Sequence, residues 1–363
     1  MSDIAVIGSG FSGISVVYWL HQLGVKATLI SLDIPEKASA VPLGLMSAAG
    51  GQKGIPIWRY KDGLRSTFDL LDELQNFNSE TKLYQKSAVL RPAMQPFIEE
   101  YFRKNFDAFP EDDVTWLSSD EIHDYNPHIF NQYGGMLIHN GAIISGDAIC
   151  NTIIQYADYY HIPMIHNRVY RIEKDDNGFR IYFNNFETKF DKIIVATGSV
   201  LPTISGIDVG NLIVPVKGQL MKLRKETSDT VFDHAISGQG YIAELNGEAA
   251  FGSTYEHDFT TLEPTQTAEN KLQDQLSVLF PNWETYFSVS EQWTGVRAST
   301  PDRMPMLGNF EWNSNLYFYF GNGSKGMIWS SLLGKLIARL IMKNEALPRE
   351  VAIQRFAKRV IFS

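Results

Sequence analysis

The strongest constraint on the fold lies near the start of the chain, where Ile4-Ala5-Val6-Ile7 runs directly into Gly8-Ser9-Gly10-Phe11-Ser12-Gly13. Four apolar residues bounded by glycine read as a strand. Residues 14–23 then carry apolar side chains at helical spacing, Gly24 supplies a helix stop, and residues 26–30 read as a second strand. Strand, glycine loop, helix and strand form the setting in which a G-x-G-x-x-G pattern binds a dinucleotide. Gly8 permits the tight turn, Gly10 lets the backbone approach a pyrophosphate, and Gly13 lets helix and strand pack closely. The N-terminus of the helix then presents free N–H groups and a partial positive charge to the phosphates.

One position breaks the pattern. A carboxylate is expected at the end of the second strand, about 20 residues beyond the glycines, to hold the ribose hydroxyls. Ser31 stands there, with Leu32 after it and Asp33 two residues on. A hydroxyl lacks the charge and two-oxygen grip of a carboxylate, so the adenosine end is expected to be held weakly. The position of the motif, with no second glycine pattern elsewhere, favours a permanently bound FAD over an exchanging nicotinamide. A nicotinamide-dependent dehydrogenase would need a second dinucleotide site, and the sequence offers none.

Composition narrows the function classes. At 363 residues the chain is long enough for two domains, and 44% hydrophobic with 20% charged residues is a globular balance. The single cysteine, Cys150, excludes an internal disulfide and paired-thiol chemistry, and after Ser145-Gly146-Asp147 it reads as a small apolar residue near a helix start. Eight histidines include no H-E-x-x-H pattern, so no metal site is expected. A formal net charge of −9 gives no general attraction for nucleic acid or anionic membranes. No basic, apolar leader follows Met1-Ser2-Asp3, and residues 327–342 carry Lys335 and Arg339, so a cytoplasmic protein with no membrane span is expected. Glu111-Asp112-Asp113 reads as a solvated turn, and Leu70 to Leu74 as part of an amphipathic surface helix.

Further along, Val169 opens an apolar-alternating run over 169–173, Asn177-Gly178 marks a hairpin, and a strand over 190–195 ends in Ala196-Thr197-Gly198. That ending resembles the second FAD-contacting segment of two-dinucleotide-fold flavoproteins. Val214-Pro215-Val216-Lys217-Gly218-Gln219 is similar to the strand that enters the substrate domain of the D-amino-acid oxidase-like flavoprotein superfamily. The segment 293–308, with Trp293-Thr294-Gly295-Val296-Arg297 and Thr300-Pro301-Asp302-Arg303, resembles that superfamily's signature. Asn322-Gly323-Ser324-Lys325-Gly326-Met327 looks like its closing flavin-binding loop, and Ala38-Ser39-Ala40-Val41-Pro42-Leu43-Gly44-Leu45-Met46 like the loop that crosses the flavin ring in glycine oxidase. Two branches resemble the chain most: glycine and sarcosine oxidases, and the oxidase half of the bifunctional enzyme that makes 5-methylaminomethyl-2-thiouridine in tRNA. Gly252-Ser253-Thr254-Tyr255 and Gly323 to Gly326 lean toward the second, although no methyltransferase half accompanies them here.

The resemblance implies an α/β architecture: a Rossmann-like FAD-binding domain of the two-dinucleotide-fold type, interleaved with a mixed β-sheet substrate domain. The expected division is 1–80, 140–212 and 294–363 for FAD, and 81–139 and 213–293 for substrate. It implies noncovalent FAD and oxidation of a C–N bond in a small amine or amino acid, with oxygen as acceptor. By matching, Arg297 is the carboxylate-binding residue, Tyr241 assists it, and Tyr255 lies nearby. The FAD contacts expected are Gly8, Gly10, Phe11, Ser12, Gly13, Ser31, Leu32, Ala38, Ser39, Leu43, Gly44 and Leu45. To these are added Val169, Ala196, Thr197 and Gly198, and the segment Asn322, Gly323, Ser324, Lys325, Gly326 and Met327. Two alternatives stand beside this reading: an oxidase acting on carboxymethylaminomethyl-uridine in tRNA, and a flavin-fold protein that has lost tight FAD binding and has a non-catalytic role. The tRNA alternative requires a basic patch at the site mouth despite the overall negative charge.

Overall fold

The computed structural model describes residues 3–32, 34, 37–227, 232, 234–311 and 313–360, so Asp33 lies outside the described residues. Its first layer is a six-stranded sheet in the order Met164–His166, Thr28–Ser31, Ile4–Ile7, Lys192–Val195, Leu316–Phe320, Met306–Asn309. All neighbours pair in parallel except the last two strands. The first strand is apolar throughout because both its faces are covered. Ile4 and Val6 face a core shared with the helices Phe11–Gln22, Tyr60–Phe77 and Gly326–Lys343, through Ile14, Leu70 and Trp329. Ala5 and Ile7 face the opposite core, where Ile172, Phe179 and Ile181 belong to a four-stranded sheet. That burial pattern is what a parallel sheet requires of its sequence.

The turn after the first strand is as tight as the glycines suggest. Gly8 has φ of +112°, a conformation closed to other residues, and a Cβ on it would collide with the Ala196 carbonyl. A Cβ on Gly13 would collide with the Gly8 carbonyl, so the helix can begin directly against the strand only with glycine there. The expected strand over 190–195 is in fact two. Glu187–Phe190 ends one in the four-stranded sheet, and Lys192–Val195 begins one in the six-stranded sheet, with Asp191 at the crossing.

The second large layer is an eight-stranded sheet, ordered Phe287–Ser299, Val214–Lys225, Glu248–Gly252, Tyr241–Leu245, Ala235–Ser237, Val89–Pro92, Gly135–Ile138, Val114–Leu117. Its outer face packs Ile242 and Phe251 against Leu272 and Leu276 of the helix Gln266–Leu279. Its inner face presents Leu220, Ala243 and Leu245 to Val41 and Leu43 on the side of the first sheet. The strand Phe287–Ser299 runs unbroken across position 293, where the expected domain division falls.

One polar reading is corrected by packing. Asp113 is buried rather than solvated: its carboxylate accepts from Tyr60 Oη and from Asn140 Nδ2 at 2.8 Å, and pairs with Lys61 Nζ at 2.9 Å. It therefore pins the start of the helix Tyr60–Phe77 to the edge of the eight-stranded sheet. That helix is amphipathic, as its spacing suggests: Leu64, Leu70, Leu71 and Leu74 are buried while Asp69 and Asp72 are exposed. Glu73 accepts from Tyr18 Oη at 2.6 Å and from Tyr156 Oη at 2.5 Å, tying three helices together. No helix among the described residues is long and apolar enough to cross a membrane.

Candidate active site

A cleft of about 1580 Å³ opens between the C-terminal ends of the parallel strands and the inner face of the eight-stranded sheet. One wall comes from the glycine turn, with Gly8, Gly10, Phe11 and Ser12, continued by Leu32, Ala38, Ser39 and Leu45. Val169, Ala196, Thr197 and Gly198 form its flank, and Asn322 through Met327 close it. Strand ends of a parallel sheet are where such sites arise, because the loops there diverge around the topological switch point.

Several sequence-derived positions stand behind this wall. Gly13 sits under the Gly8 turn. Ser31 is buried, and its Oγ donates to Ser9 Oγ at 2.9 Å. Leu43 contributes its carbonyl oxygen, which accepts from Tyr241 Oη at 2.7 Å. Gly44 faces Met327, which a Cβ would strike. Ser31 thus ties the end of its strand to the glycine loop.

The cleft is built for a polar ligand. Ser39 Oγ, Thr197 Oγ1 and Asn322 Oδ1 are buried on its wall with no hydrogen-bond partner among the described residues. Asn322 is held in place through its other end, donating from Nδ2 to Ser12 Oγ at 3.0 Å and to Tyr319 Oη at 3.2 Å. Two helices begin on the cleft, Phe11–Gln22 and Gly326–Lys343, and neither has a side-chain cap or an acidic residue in its first turn. Their N–H groups and dipoles therefore remain available to negative charge. Unpartnered hydroxyl and amide oxygens, a glycine cradle and two open helix starts fit the ribityl, phosphate and ring edges of FAD.

The sheet wall carries Tyr241, Tyr255 and Arg297. Arg297 Nη1 donates to Thr254 O at 3.2 Å and Nη2 to Ser253 Oγ at 2.5 Å, and its guanidinium lies 4.6 Å from the centroid of the Tyr255 ring. Gly218, on the neighbouring strand, leaves the room the guanidinium occupies. Thr254 is itself fixed, with its N–H on Gln219 O and its hydroxyl donating to Glu256 at 2.6 Å. Tyr255 is 57% exposed at the mouth. Burial pushes the Tyr241 phenol far up, against the opposing pull of Arg297, so it stays protonated as a donor. Lys325 lies with its ammonium 4.6 Å from the Trp329 ring centroid. Burial, and then the charge of Arg303, lower its pKa below that of an ordinary lysine.

Arg91 also lines the cleft, and no motif points to it. The one available signal is an arginine inside the short apolar run Val89-Leu90-Arg91-Pro92. The cleft has a single sign of charge: Lys37, Lys53, Arg91, Arg168, Lys271, Arg297, Arg303 and Lys325 line it, and no aspartate or glutamate does among the described residues. In a chain of net charge −9 this is a concentrated positive field. No cluster of metal-ligating side chains occurs among the described residues.

Residues 3–340 match the family described as FAD dependent oxidoreductase. An uncharacterised oxidoreductase of Bacillus subtilis is 22% identical over 358 residues, covering 95% of this chain and 96% of that protein. The tRNA 5-methylaminomethyl-2-thiouridine biosynthesis bifunctional protein of Acinetobacter baylyi is 23% identical over 384 residues, a match that takes in 98% of this chain. The chain spans little more than half that relative's length, 56%. Among solved structures, glycine oxidase from Bacillus cereus superposes with a TM-score of 0.83 at 18% identity, over 95% of this chain and 96% of that one.

Proposed function

The chain belongs to the DAO family of FAD dependent oxidoreductases, and on that premise we propose that it oxidises the carbon–nitrogen bond of a small amine or amino acid that carries a carboxylate. The observation that supports this most is Arg297, a guanidinium fixed by Ser253, Thr254 and Tyr255 and paired with no carboxylate among the described residues. Its planar fork suits a substrate carboxylate bound through two parallel hydrogen bonds. FAD, when bound, accepts the hydride equivalent from the carbon next to nitrogen.

The chain's own residues supply position and field. Arg297 fixes one end of the substrate, and Tyr241, held by Leu43 O, forms the wall beside it. Tyr255 shields the guanidinium from solvent and strengthens its interactions by lowering the local dielectric. No carboxylate lines the cleft among the described residues. The reading therefore assigns no carboxylate base, and a neutral amine needs none to lose hydride from the carbon next to nitrogen. Gly8, Gly10, Ser12, Ser39, Thr197 and Asn322 would hold the FAD, with the helix starting at Gly326 turning its dipole toward the ring edge. The same reading assigns 1–80, 140–212 and 294–363 to FAD and 81–139 and 213–293 to substrate, with the strand Phe287–Ser299 shared between them.

Titration of purified protein with glycine, sarcosine and D-amino acids under anaerobic conditions tests the reading. Bleaching of the flavin band by one of them is expected. A stable flavin band untouched by every amino acid and N-methyl amino acid would remove it.

One observation favours a second reading, oxidation of carboxymethylaminomethyl-uridine in tRNA. Lys53, Arg168, Lys271 and Arg303 are exposed at the cleft, the basic patch that this substrate requires. Binding to tRNA whose affinity falls steeply between 50 and 200 mM salt would support it, and absence of binding at low salt would discard it.

A further inference from the structure

Arg91 and Arg297 line one cleft from strands five steps apart in the eight-stranded sheet. Arg297 lies on the first strand of the eight-stranded sheet, Tyr241 on the fourth and Arg91 on the sixth. Five inter-strand steps of about 4.8 Å put the backbones of their strands roughly 24 Å apart along a flat sheet, a span that twist shortens. A glycine-sized substrate spans only a small part of that.

Arg91 is 6% exposed. Its Nη1 donates to Ala49 O at 3.0 Å, its Nη2 to Gly51 O at 2.6 Å, and its guanidinium rests 5.2 Å from the Phe102 ring centroid. These partners are neutral. They fix the orientation of the group without compensating its charge, and Nε is buried with no partner at all. Burial alone brings its pKa down to about 10, so the group remains a cation at neutral pH. A buried charge with no counter-ion is among the most costly arrangements a protein can hold, and it is retained where a ligand completes it. A second cation adjoins the same wall segment: Lys325 Cε lies 3.7 Å from where a Cβ on Gly50 would be, between the two carbonyls that hold Arg91.

We propose that Arg91, with Lys325 across the segment 49–51, forms a second anion-binding subsite of the cleft, separate from the one at Arg297. Its occupant is a compact negative charge. Two sources supply that chemistry: the charge that develops on the ring of bound FAD, or an acidic group of a substrate far from the one held by Arg297. The subsite rests on the reading of this cleft as a flavin and substrate site.

The FAD-loaded protein and its Arg91→Gln and Arg91→Lys variants separate the sources. Gln can still donate to the segment 49–51 but carries no charge. Sulfite, which adds to oxidised flavin and leaves negative charge on the ring, reads the first source by loss of visible absorbance. Inorganic phosphate, as an inhibitor of turnover on the best amine, reads the second. In at least one arm Arg91→Gln is expected to weaken the anion tenfold or more, with Arg91→Lys within threefold of wild type. Weakening in the sulfite arm alone assigns the charge to the cofactor; weakening in the phosphate arm alone assigns it to a substrate group. No change in either arm overturns the subsite and leaves Arg91 a structural residue. Should Arg91→Gln not fold, Lys325→Gln takes its place, with at least a threefold loss expected in one arm and no loss overturning the proposal. Arg297→Ala measured in parallel keeps the two ideas apart. If it leaves KM for the amine unmoved, the carboxylate role of Arg297 falls while the sulfite arm still decides Arg91.

Discussion

Gly218 lies directly beneath the guanidinium of Arg297 from the adjacent strand, and a Cβ at position 218 would collide with Nη1 and Nη2. A backbone position two residues from the paired Val216 thus decides where the substrate's anchor can sit. Gly218→Ala is expected to fold, because the clash falls on the far end of a long side chain. The guanidinium would move off Ser253 and Thr254. A charge-assisted hydrogen bond is worth about 1.5–3 kcal/mol, so kcat/KM for a carboxylate substrate should fall about 10- to 100-fold. Steady-state kinetics with a carboxylate amine and its decarboxylated analogue check this. Equal losses on both substrates would show that the anchor is not what moved.

The retention of FAD should depend on the unpartnered wall atoms and not on Ser31. Ser39 and Thr197 line the cleft and their buried hydroxyl oxygens have no partner among the described residues, whereas Ser31 Oγ is engaged with Ser9. Ser39→Ala and Thr197→Val should each weaken FAD by about 2- to 10-fold, the worth of one neutral hydrogen bond. Ser31→Ala should change it less than about threefold, being a loss within the protein. Fluorescence titration of the apoprotein with FAD separates these. A Ser31→Ala effect larger than that of Thr197→Val would place the serine on the ligand after all.

What could be read in the sequence was what depends on near neighbours. The φ of +112° at Gly8 and the close approach of Gly13 to the Gly8 carbonyl are local matters, and Ala196-Thr197-Gly198 follows a strand four residues long. The burial of Asp113 is not legible in the sequence because its partners, Tyr60 and Asn140, stand 53 and 27 residues away. Arg91 drew no attention for the same reason: its acceptors Ala49 and Gly51 lie about 40 residues earlier, and an arginine next to proline in a short apolar run looks like a strand edge. The single sign of charge in the cleft is also a property of folding. Its cations come from segments scattered between positions 37 and 325, and the acidic residues that make the chain negative lie elsewhere among the described residues.

Asp113 joins the two large sheets through the helix start at Tyr60, so its loss should be felt in stability more than in chemistry. Burial pushes its carboxyl up, but hydrogen bonds from Tyr60 and Lys61, the charge of Lys61 and the bond from Asn140 outweigh that and hold it below the usual range. Its folded pKa is depressed. The stability it contributes is therefore complete above the unfolded carboxylate value and is lost as pH falls through the folded one. Asp113→Asn should lower stability by about 1–3 kcal/mol at pH 7, and the difference from wild type should shrink below about pH 4. Urea unfolding at both pH values measures it. A difference that persists in acid would show that shape rather than charge is what the site requires.

Lys325 should set the alkaline limit of the site. Burial first, and the charge of Arg303 second, lower its pKa below the ordinary lysine value. It is a cation at neutral pH and loses its proton earlier than a free lysine as pH rises. If positive charge at this end of the cleft supports the reaction, kcat/KM should fall on the alkaline side with an apparent pKa below about 10.4, the unperturbed lysine value. Tyr241 and Tyr319 do not compete for that assignment, because burial drives both phenols well upward. Arg303→Ala removes one of the two causes and should move the limb to higher pH, while Lys325→Arg, which does not titrate in the range, should abolish it. The pH profiles of the three proteins with one amine substrate decide the matter. A limb that stays in place in Lys325→Arg belongs to Arg91, whose pKa burial brings down to about 10, or to the substrate amine, and Lys325 is then only the start of its helix.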